Sequence, residues 1–213
     1  MASANGKRPA CLSSTRNARR EQVKGRESGM PEEAYWATFF DTDKAVETLL
    51  GGTDVYGDLV ELGCGYGTFT LPAARRTAGT VTALDIEPDM VTSVHRKAET
   101  SGLSNIHAVD RDFVAHGTGL GDGSQTHAMI YNLLHLENPG VLLAEARRIL
   151  KPGGVLSVIH WRSDIPTPRG PSLAIRPRPA QCHRWMEEAG FEAIQPVDLQ
   201  HCCPFHFGLT GRR

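Results

Sequence analysis

Residues 58–69 read DLVELGCGYGTF, and this stretch decides the fold of the chain. Leu59, Val60 and Leu62 form an apolar run that is too short for a helix, so the run predicts a buried strand. The three glycines that follow permit backbone conformations that a Cβ atom would block. The composition of residues 68–75 then favours a helix. A strand-to-helix turn of this kind lets a ligand approach the bare backbone and the helix N-terminus.

One position of the turn separates two classes of cofactor. A dinucleotide fingerprint needs the pattern G-x-G-x-x-G. Counted from Gly63, Gly65 fits this pattern, but Thr68 stands where the third glycine should be. The turn therefore argues against a nicotinamide oxidoreductase. What remains is the pattern Glu-x-Gly-x-Gly-x-Gly, which runs from Glu61 to Gly67.

Predicted strands and helices alternate through the rest of the chain. Apolar strand segments are predicted at residues 79–86, 105–109, 127–132 and 155–160. Helices are predicted at residues 87–100, 139–150 and 180–189, and a glycine-rich loop at 115–125. Residues 191–199 and 205–210 are predicted to form a closing pair of strands. The alternation indicates an α/β fold with a parallel sheet that is covered by helices on both faces.

The N-terminal region divides into two parts. Residues 1–28 are polar and basic and have few large apolar side chains, so we expect a disordered tail. Residues 29–213 are predicted to form a single domain, with a helical lid at 29–52 and a cofactor-binding core at 57–160. Pro31 and the two glutamates that follow it predict the start of the first lid helix.

Composition excludes several classes of protein. The chain has 213 residues and a formal net charge of −1, which gives no electrostatic reason to expect a nucleic-acid partner. No apolar run reaches the roughly 18 residues of a membrane span, and the N-terminus has no apolar signal region. The five cysteines are odd in number and lack C-x-x-C spacing, so we expect no disulfide framework and a reducing, cytoplasmic location.

With these elements in order, the chain resembles the class I S-adenosylmethionine-dependent methyltransferases that act on small molecules. The resemblance covers residues 57–160 and rests on five segments in the right order: Glu61–Gly67, Asp85, Asp112–Phe113, Asn132–Pro139 and Leu150–Gly154. It implies a Rossmann-like fold with a mostly parallel seven-stranded sheet and an antiparallel C-terminal strand. It also implies S-adenosylmethionine as the cofactor.

The resemblance further implies which residues bind this cofactor. Asp85 suits the two hydroxyl groups of the ribose, although it could instead be a turn residue before Pro88. Asp112 suits the adenine amine, with Asp110 as an alternative nearby. Glu61 would be a costly buried charge unless it bound the cofactor's ammonium group or a water. The full expected set is Glu61, Gly63, Cys64, Gly65, Gly67, Asp85, Ile86, Asp112, Phe113 and Asn132.

His135 and His160 are the candidate proton acceptors. They lie at or just after the carboxyl ends of the predicted fourth and fifth strands, at the edge of the sheet where ligands of parallel α/β proteins bind. A histidine of near-neutral pKa can remove a proton from a hydroxyl or nitrogen nucleophile. Each could equally be a partly buried histidine whose ring is satisfied by a backbone carbonyl.

Two further groups are candidates for acceptor binding. Residues 161–178 are rich in proline and arginine and are predicted to form one wall of the acceptor pocket, where Arg169 or Arg176 pairs with a carboxylate or phosphate on the acceptor. This segment could also be a solvated connector. Tyr35 and Trp36 lie in the predicted lid, where they could contact the substrate, pack on the sheet, or do both.

The expected function is methyl transfer to an unidentified small-molecule acceptor that carries an anionic group. The rival hypothesis is a non-catalytic protein that binds S-adenosylmethionine or a partner and keeps the fold. A metal site at the run His201-Cys202-Cys203 is not expected, because adjacent cysteines rarely chelate one tetrahedral ion together. The sequence predicts no oligomeric state.

Overall fold

The computed structural model describes residues 30–52 and 55–213. The predicted tail at 1–28 lies outside the described residues. Within them, the strands are β1 (Leu59–Leu62), β2 (Val81–Asp85), β3 (Ile106–Asp110), β4 (Gln125–Tyr131), β5 (Leu150–Trp161), β6 (Glu192–Val197) and β7 (His206–Arg212). The α-helices are α1 (Glu33–Ala37), α2 (Thr42–Leu49), α3 (Thr70–Arg75), α4 (Pro88–Thr100), α5 (Phe113–His116), α6 (Pro139–Ile149) and α7 (Pro179–Glu188).

The described strands form one seven-stranded sheet in the order β3-β2-β1-β4-β5-β7-β6. The first five strands run parallel, and β7 is antiparallel to both β5 and β6. This order confirms the predicted fold class, including the antiparallel finish at the C-terminus.

Both faces of the sheet are buried, as the apolar strand sequences predict. Val60 and Leu62 of β1 pack on the same face as residues of α6 and α7. Leu59, on the opposite face, packs with residues of α2 and α3. The two-residue period of a strand therefore sends alternate apolar side chains into two separate cores.

The sheet order places a crevice at the end of β1. The chain leaves β1 towards β2 on one side, whereas β4 pairs with β1 on the other side. Ligands of open α/β sheets bind at such a switch point, outside the carboxyl ends of the strands. The glycine turn, the end of β2 and the end of β4 all reach this crevice.

Helix α1 lies against the glycine turn. The indole Nε1 atom of Trp36 donates a hydrogen bond to the hydroxyl oxygen of Thr68 at 3.0 Å. The ammonium group of Lys97, on α4, pairs with the carboxylate of Glu33. Helix α2 is capped by Asp41, one of the two residues predicted to cap it, whose carboxylate accepts from the Lys44 amide at 3.4 Å.

Two boundaries differ from the prediction. Strand β5 begins at Leu150, whereas the sequence predicts a turn at 151–154 and a strand only from Val155. The strand begins at Leu150 because Leu150 pairs with Gln125 of β4. Farther along, the Gly153 amide donates to the Arg213 carbonyl oxygen and the Arg213 amide donates to the Gly154 carbonyl oxygen, each at 2.9 Å. The start of the predicted loop at 115–125 instead belongs to the short helix α5.

Candidate active site

A cavity of about 350 Å³ lies at the carboxyl ends of the parallel strands. It is lined by twelve of the residues singled out in the sequence: Trp36, Glu61, Gly63, Cys64, Gly65, Asp85, Ile86, Asp112, Phe113, Asn132, His135 and Arg169. Four others, Tyr35, Gly67, His160 and Arg176, do not line it. The fold therefore brings most of the proposed cofactor residues to one space.

The glycines of the turn are required by the backbone and by close neighbours. Gly63 has a φ angle of 75°, and a Cβ atom there would lie 2.8 Å from the side chain of Leu133. Gly67 has a φ angle of 76°, and its Cβ atom would lie 2.7 Å from Leu71. Gly67 thus shapes the turn from outside the cavity, whereas Gly63 and Gly65 border it.

Asp85 holds the glycine turn in place. Its Oδ2 atom accepts from the Gly65 amide at 2.8 Å, and its Oδ1 atom accepts from the Glu87 amide at 3.0 Å. Burial raises the pKa of this carboxyl group, and the two amide bonds oppose that shift. Each carboxylate oxygen has capacity for a further hydrogen bond, so Asp85 can serve the turn and a ligand together.

Glu61 is a buried acid in the middle of the sheet. Its side chain is 1% exposed, and the hydroxyl group of Thr70 donates a hydrogen bond to it. Burial raises the pKa of Glu61 to about 8, and the nearby charge of Asp85 adds to the rise. A cation bound in the cavity would favour the ionised form and lower this pKa.

Asn132 combines an uncommon backbone conformation with an unpaired buried amide. Its φ angle of 59° is in the left-handed region, which residues other than glycine adopt sparingly. Neither the oxygen nor the nitrogen of its buried amide has a hydrogen-bond partner among the described residues. Because buried polar groups are almost always paired, these two atoms point to a polar ligand in the cavity.

At the end of β3, the structure distinguishes two acids. Asp112 lines the cavity and caps α5, where its carboxylate accepts from the Ala115 amide at 2.9 Å. Asp110 is exposed and does not line the cavity. Phe113, which is buried, lies next to Asp112 on the cavity wall.

The half-buried His135 and the buried His160 are in contact. The Nδ1 atom of His135 lies 3.3 Å from the Nε2 atom of His160, whose Nδ1 atom lies 3.3 Å from the carbonyl oxygen of Trp161. A carbonyl only accepts, so His160 carries its proton on Nδ1 and presents a lone pair at Nε2. In this tautomer His135 donates through Nδ1 to His160 and carries its lone pair at Nε2.

Both histidines are neutral near pH 7. Burial lowers the pKa of His135 below its ordinary value of 6.5, and the charge of Arg176 adds to this shift. Burial also lowers the pKa of His160 to about 3, helped by its neighbour His135. Of the two histidines, only His135 borders the cavity, so His160 can influence the cavity only through its contact with His135.

Other lining residues lie outside the expected set of site residues, although Trp161, Gly170 and Pro171 belong to the segment that is predicted to form one wall of the pocket. Trp161, at the end of β5, contacts the lid ring of Trp36 at a centroid distance of 6.1 Å. Gly170 and Pro171 border the cavity beside Arg169. Tyr131 also lines it from β4. Tyr131 gave no sequence signal, because the periodicity of an almost wholly apolar strand does not reveal which of its side chains reach a ligand.

Arg176 and Tyr35 are placed differently from the other predicted acceptor residues. The guanidinium group of Arg176 donates to acceptors of its own segment, and Arg176 does not line the cavity. Tyr35 is 44% exposed and packs against the ring of Phe39.

In the described part of the chain, no group of three or more His, Cys, Asp or Glu residues could hold a metal ion. None of its helices is long and apolar enough to cross a membrane.

Comparison with known proteins agrees with this geometry. Residues 59–154 match the family model described as a methyltransferase domain. The chain is 29% identical over 188 residues to the ubiquinone biosynthesis O-methyltransferase of Caulobacter vibrioides, in an alignment that covers 81% of this chain and 71% of that protein. It is 36% identical over 109 residues to an uncharacterized 37.1 kDa protein in transposon TN4556 of Streptomyces fradiae, which covers 49% of this chain but only 30% of that protein.

A solved structure shares the fold. The crystal structure of a SAM-dependent methyltransferase from Aquifex aeolicus superposes with a TM-score of 0.71 at 21% identity, over 82% of this chain and 90% of that one. The family match at residues 59–154 spans the glycine turn, Asp85 and Asn132, which all face the cavity.

The residues around the cavity fit S-adenosylmethionine. This cofactor has an amino acid end, a ribose diol and an adenine, and each needs polar partners. The buried Glu61 carboxyl, the doubly anchored Asp85 carboxylate and the unpaired Asn132 amide offer such partners in one cavity. Residues 59–154 therefore form a methyltransferase-family domain with the fold of class I S-adenosylmethionine-dependent methyltransferases, and S-adenosylmethionine is the cofactor that fits its cavity.

Proposed function

We propose that this chain transfers a methyl group from S-adenosylmethionine to a hydroxyl oxygen of a small molecule, and that His135 accepts the hydroxyl proton. The position of His135 carries the proposal. Its ring lines the same cavity as Glu61 and Asp85, and its Nδ1 atom is committed to His160. The Nε2 atom is then the only basic nitrogen that the ring can offer.

The cofactor end of the cavity is assigned by chemistry. Asp85 would accept from the ribose hydroxyls, Asp112 from the adenine amine, and Glu61 from the ammonium group. The Asn132 amide would find its hydrogen-bond partners on the same ligand. When bound, S-adenosylmethionine supplies a methyl group that is activated by its positive sulfur. These residues would fix where that methyl group points.

The chain's residues would contribute orientation and proton removal. Aligning nucleophile, methyl and sulfur can lower a barrier by roughly 7–11 kcal/mol at most. General-base assistance from a well-placed histidine adds typically about 10²–10⁴ in rate. The O-methyltransferase relative, which aligns with 81% of this chain, supports an oxygen nucleophile.

The acceptor side supports a hydroxylated ring that carries a carboxylate. Trp36, Trp161 and Tyr131 line this cavity together with Arg169. Aromatic side chains favour a flat apolar ring, and an arginine favours a planar anion. This narrows the expected anionic acceptor to a carboxylate-bearing phenol or catechol.

A paired panel of acceptors tests the proposal. Phenol and catechol would be compared with 4-hydroxybenzoate and 3,4-dihydroxybenzoate, and with a deproteinised cell extract, by measuring S-adenosylhomocysteine formation. We expect methylation of a hydroxyl group, with a lower KM for the carboxylated member of each pair. S-Adenosylmethionine binding without product from the panel or the extract would contradict the proposal and favour the non-catalytic rival.

A further inference from the structure

Arg176 is bonded within its own segment. We call residues 162–178 the wall segment, because Arg169, Gly170 and Pro171 line the cavity. The Arg176 Nε atom donates to the Pro171 carbonyl oxygen at 2.7 Å, and its Nη2 atom donates to the Arg169 carbonyl oxygen at 3.1 Å. Its Nη1 atom donates to the Arg162 carbonyl oxygen at 2.9 Å and to the Thr167 hydroxyl at 2.6 Å. One guanidinium group thus joins four points of the wall segment.

The same guanidinium group is stacked against the cavity wall. Its central carbon lies 5.9 Å from the centroid of the Trp161 ring. Gly170 lies between the two side chains with a φ angle of 119°. A Cβ atom at this position would come within 2.8 Å of the Arg176 Nη2 atom and 2.9 Å of the Trp161 ring. Gly170 therefore packs between the Trp161 ring and the Arg176 guanidinium group at the wall of the cavity.

The wall segment has little regular structure of its own. A single 3-10 turn at Leu173–Ile175 is its one regular element in the described chain. Its backbone carbonyls at Arg169 and Pro171 therefore depend on side-chain donors, and Arg176 provides a donor to both. Removing Arg176 would leave the Pro171 carbonyl oxygen to solvent, the Arg169 carbonyl oxygen with only the Thr167 hydroxyl as donor at 2.7 Å, and the segment without its cross-link.

We propose that Arg176 is a positioning residue for the methyl acceptor: it holds Arg169, Gly170 and Pro171 at the cavity without touching the acceptor itself. The inference rests on the proposed function only in taking this side of the cavity as the acceptor side. Arg169 is then the arginine that faces a ligand, and Arg176 is the one that places it.

The geometry of the contacts requires arginine. A guanidinium group spreads its donors over a rigid plane, whereas a lysine ammonium group presents all of its donors from one atom. The donors of a planar guanidinium group can reach four acceptors that are distributed along ten residues of the chain, whereas the donors of a single ammonium nitrogen cannot. Arg176→Lys should therefore keep the charge but lose most of the cross-link.

The consequence is selective for one side of the cavity. Glu61 and Asp85 sit on β1 and β2, and their hydrogen bonds go to Thr70, Gly65 and Glu87. None of these partners belongs to the wall segment. Loss of Arg176 should therefore weaken acceptor binding and leave cofactor binding unchanged.

The full-length protein offers a matched control for the experiment. The Nε atom of Arg147 donates to the Gly190 carbonyl oxygen at 3.0 Å, and a Cβ atom at Gly190 would lie 2.8 Å from that nitrogen. Arg147→Met thus removes a similar arginine contact beside a glycine, away from the cavity. It would be compared with Arg176→Met and Arg176→Lys.

Limited proteolysis reads the order of the wall segment directly. Pro177 and Pro179 follow Arg176 and Arg178, so trypsin can cut the segment only after Arg162 and Arg169. With S-adenosylhomocysteine bound, Arg176→Met should speed cleavage after Arg169 by about tenfold or more, because cleavage tracks the open population. Arg176→Lys should fall between this variant and wild type, and Arg147→Met should match wild type.

A kinetic readout separates positioning from general stability. With 3,4-dihydroxybenzoate as probe, Arg176→Met should raise KM about tenfold and change kcat less, with the Kd of S-adenosylhomocysteine unchanged. Wild-type cleavage rates in Arg176→Met, or in Arg176→Lys should the methionine variant not fold, would overturn the inference. If wild type methylates no phenol, the proposed function fails for that probe, but the cleavage rates still decide the role of Arg176.

Discussion

At the scale of single residues, Glu61 is the least expected group in the sheet. It is an acid within β1 whose pKa is raised to about 8, chiefly by burial. The protonated form is thus favoured in the folded protein more than in the unfolded chain. The stability from this group is complete below its ordinary pKa of 4.5 and is lost as the pH rises through 8.

This loss of stability with rising pH leads to a prediction for Glu61→Gln. Glutamine removes the ionisation, so the variant should melt at a higher temperature than the wild type at pH 8 and show a smaller difference at pH 5. Thermal melts of the cofactor-free protein at both pH values measure this. Glu47→Gln, at an exposed glutamate of α2 that pairs with Arg76, is the control. A Glu61→Gln difference that is the same at both pH values would rule out a buried, titrating Glu61.

His135 leads to a second prediction, on the pH dependence of catalysis. Because burial lowers its pKa below 6.5, kcat/KM should rise with pH along a limb below 6.5 and then level off. His135→Gln should remove this limb and lower kcat/KM by about 10²–10⁴. The exposed His107, on β3, supplies the control variant His107→Gln. An unchanged limb in His135→Gln would assign it to another group.

At the scale of elements, α1 is joined to the cofactor turn by one side chain. Trp36 donates to Thr68, and its ring packs against Phe40 at a centroid distance of 4.9 Å. Both Trp36 and Thr68 line the cavity. The lid helix and the glycine turn therefore form one wall, although they lie more than thirty residues apart in sequence.

Trp36→Phe tests this connection. The substitution keeps an aromatic ring but removes the indole N–H, so it should weaken S-adenosylhomocysteine binding by about 0.5–1.5 kcal/mol. Stopped-flow dissociation and calorimetry would measure the effect. Tyr35→Phe removes a hydroxyl from the neighbouring residue, which does not line the cavity, and should leave both values unchanged. Equal affinity in Trp36→Phe and wild type would show that the lid contact does not contribute to the cofactor site.

The wall segment shows what sequence patterns leave open at this scale. Arginines in a proline-rich stretch predict anion binding, and the sequence does not distinguish Arg169 from Arg176. Only the fold brings the Arg162, Arg169 and Pro171 carbonyls around the Arg176 guanidinium group. Such contacts depend on an irregular backbone path that no periodicity encodes.

At the scale of the whole molecule, the parallel core could be predicted because its strands are short, apolar and separated by helix signals. The order of five motifs also indicated the ends of β1, β2 and β4 as the site. The early start of β5 could not be predicted, because it depends on pairing of Leu150 with Gln125 and of Gly153 and Gly154 with Arg213, which are distant in sequence. The environment of His206 could not be predicted from the sequence either. Its two ring nitrogens are buried and unpaired among the described residues, and its ring lies behind that of Trp161.

The N-terminal boundary is a further prediction at this scale. The cavity lining begins at Met30, and the Tyr66 hydroxyl donates to the Pro31 carbonyl oxygen at 3.0 Å. Deletion of residues 1–28 should therefore leave the melting temperature and S-adenosylhomocysteine affinity unchanged. Deletion of residues 1–31 should lower the affinity. Titration of both truncated proteins would measure this, and a large loss on removing 1–28 alone would show that the tail contributes to the site.

The central claim is that this sheet binds S-adenosylmethionine through the glycine turn and Asp85. Calorimetric titration of S-adenosylmethionine into wild type, Asp85→Ala and the control Asp110→Ala tests it most directly, with NAD titrated in parallel. We predict that wild type and Asp110→Ala bind S-adenosylmethionine alike, and that Asp85→Ala binds it more weakly by about 1.5–3 kcal/mol. Equal affinity in Asp85→Ala, or tighter binding of NAD by the wild-type protein, would contradict the claim.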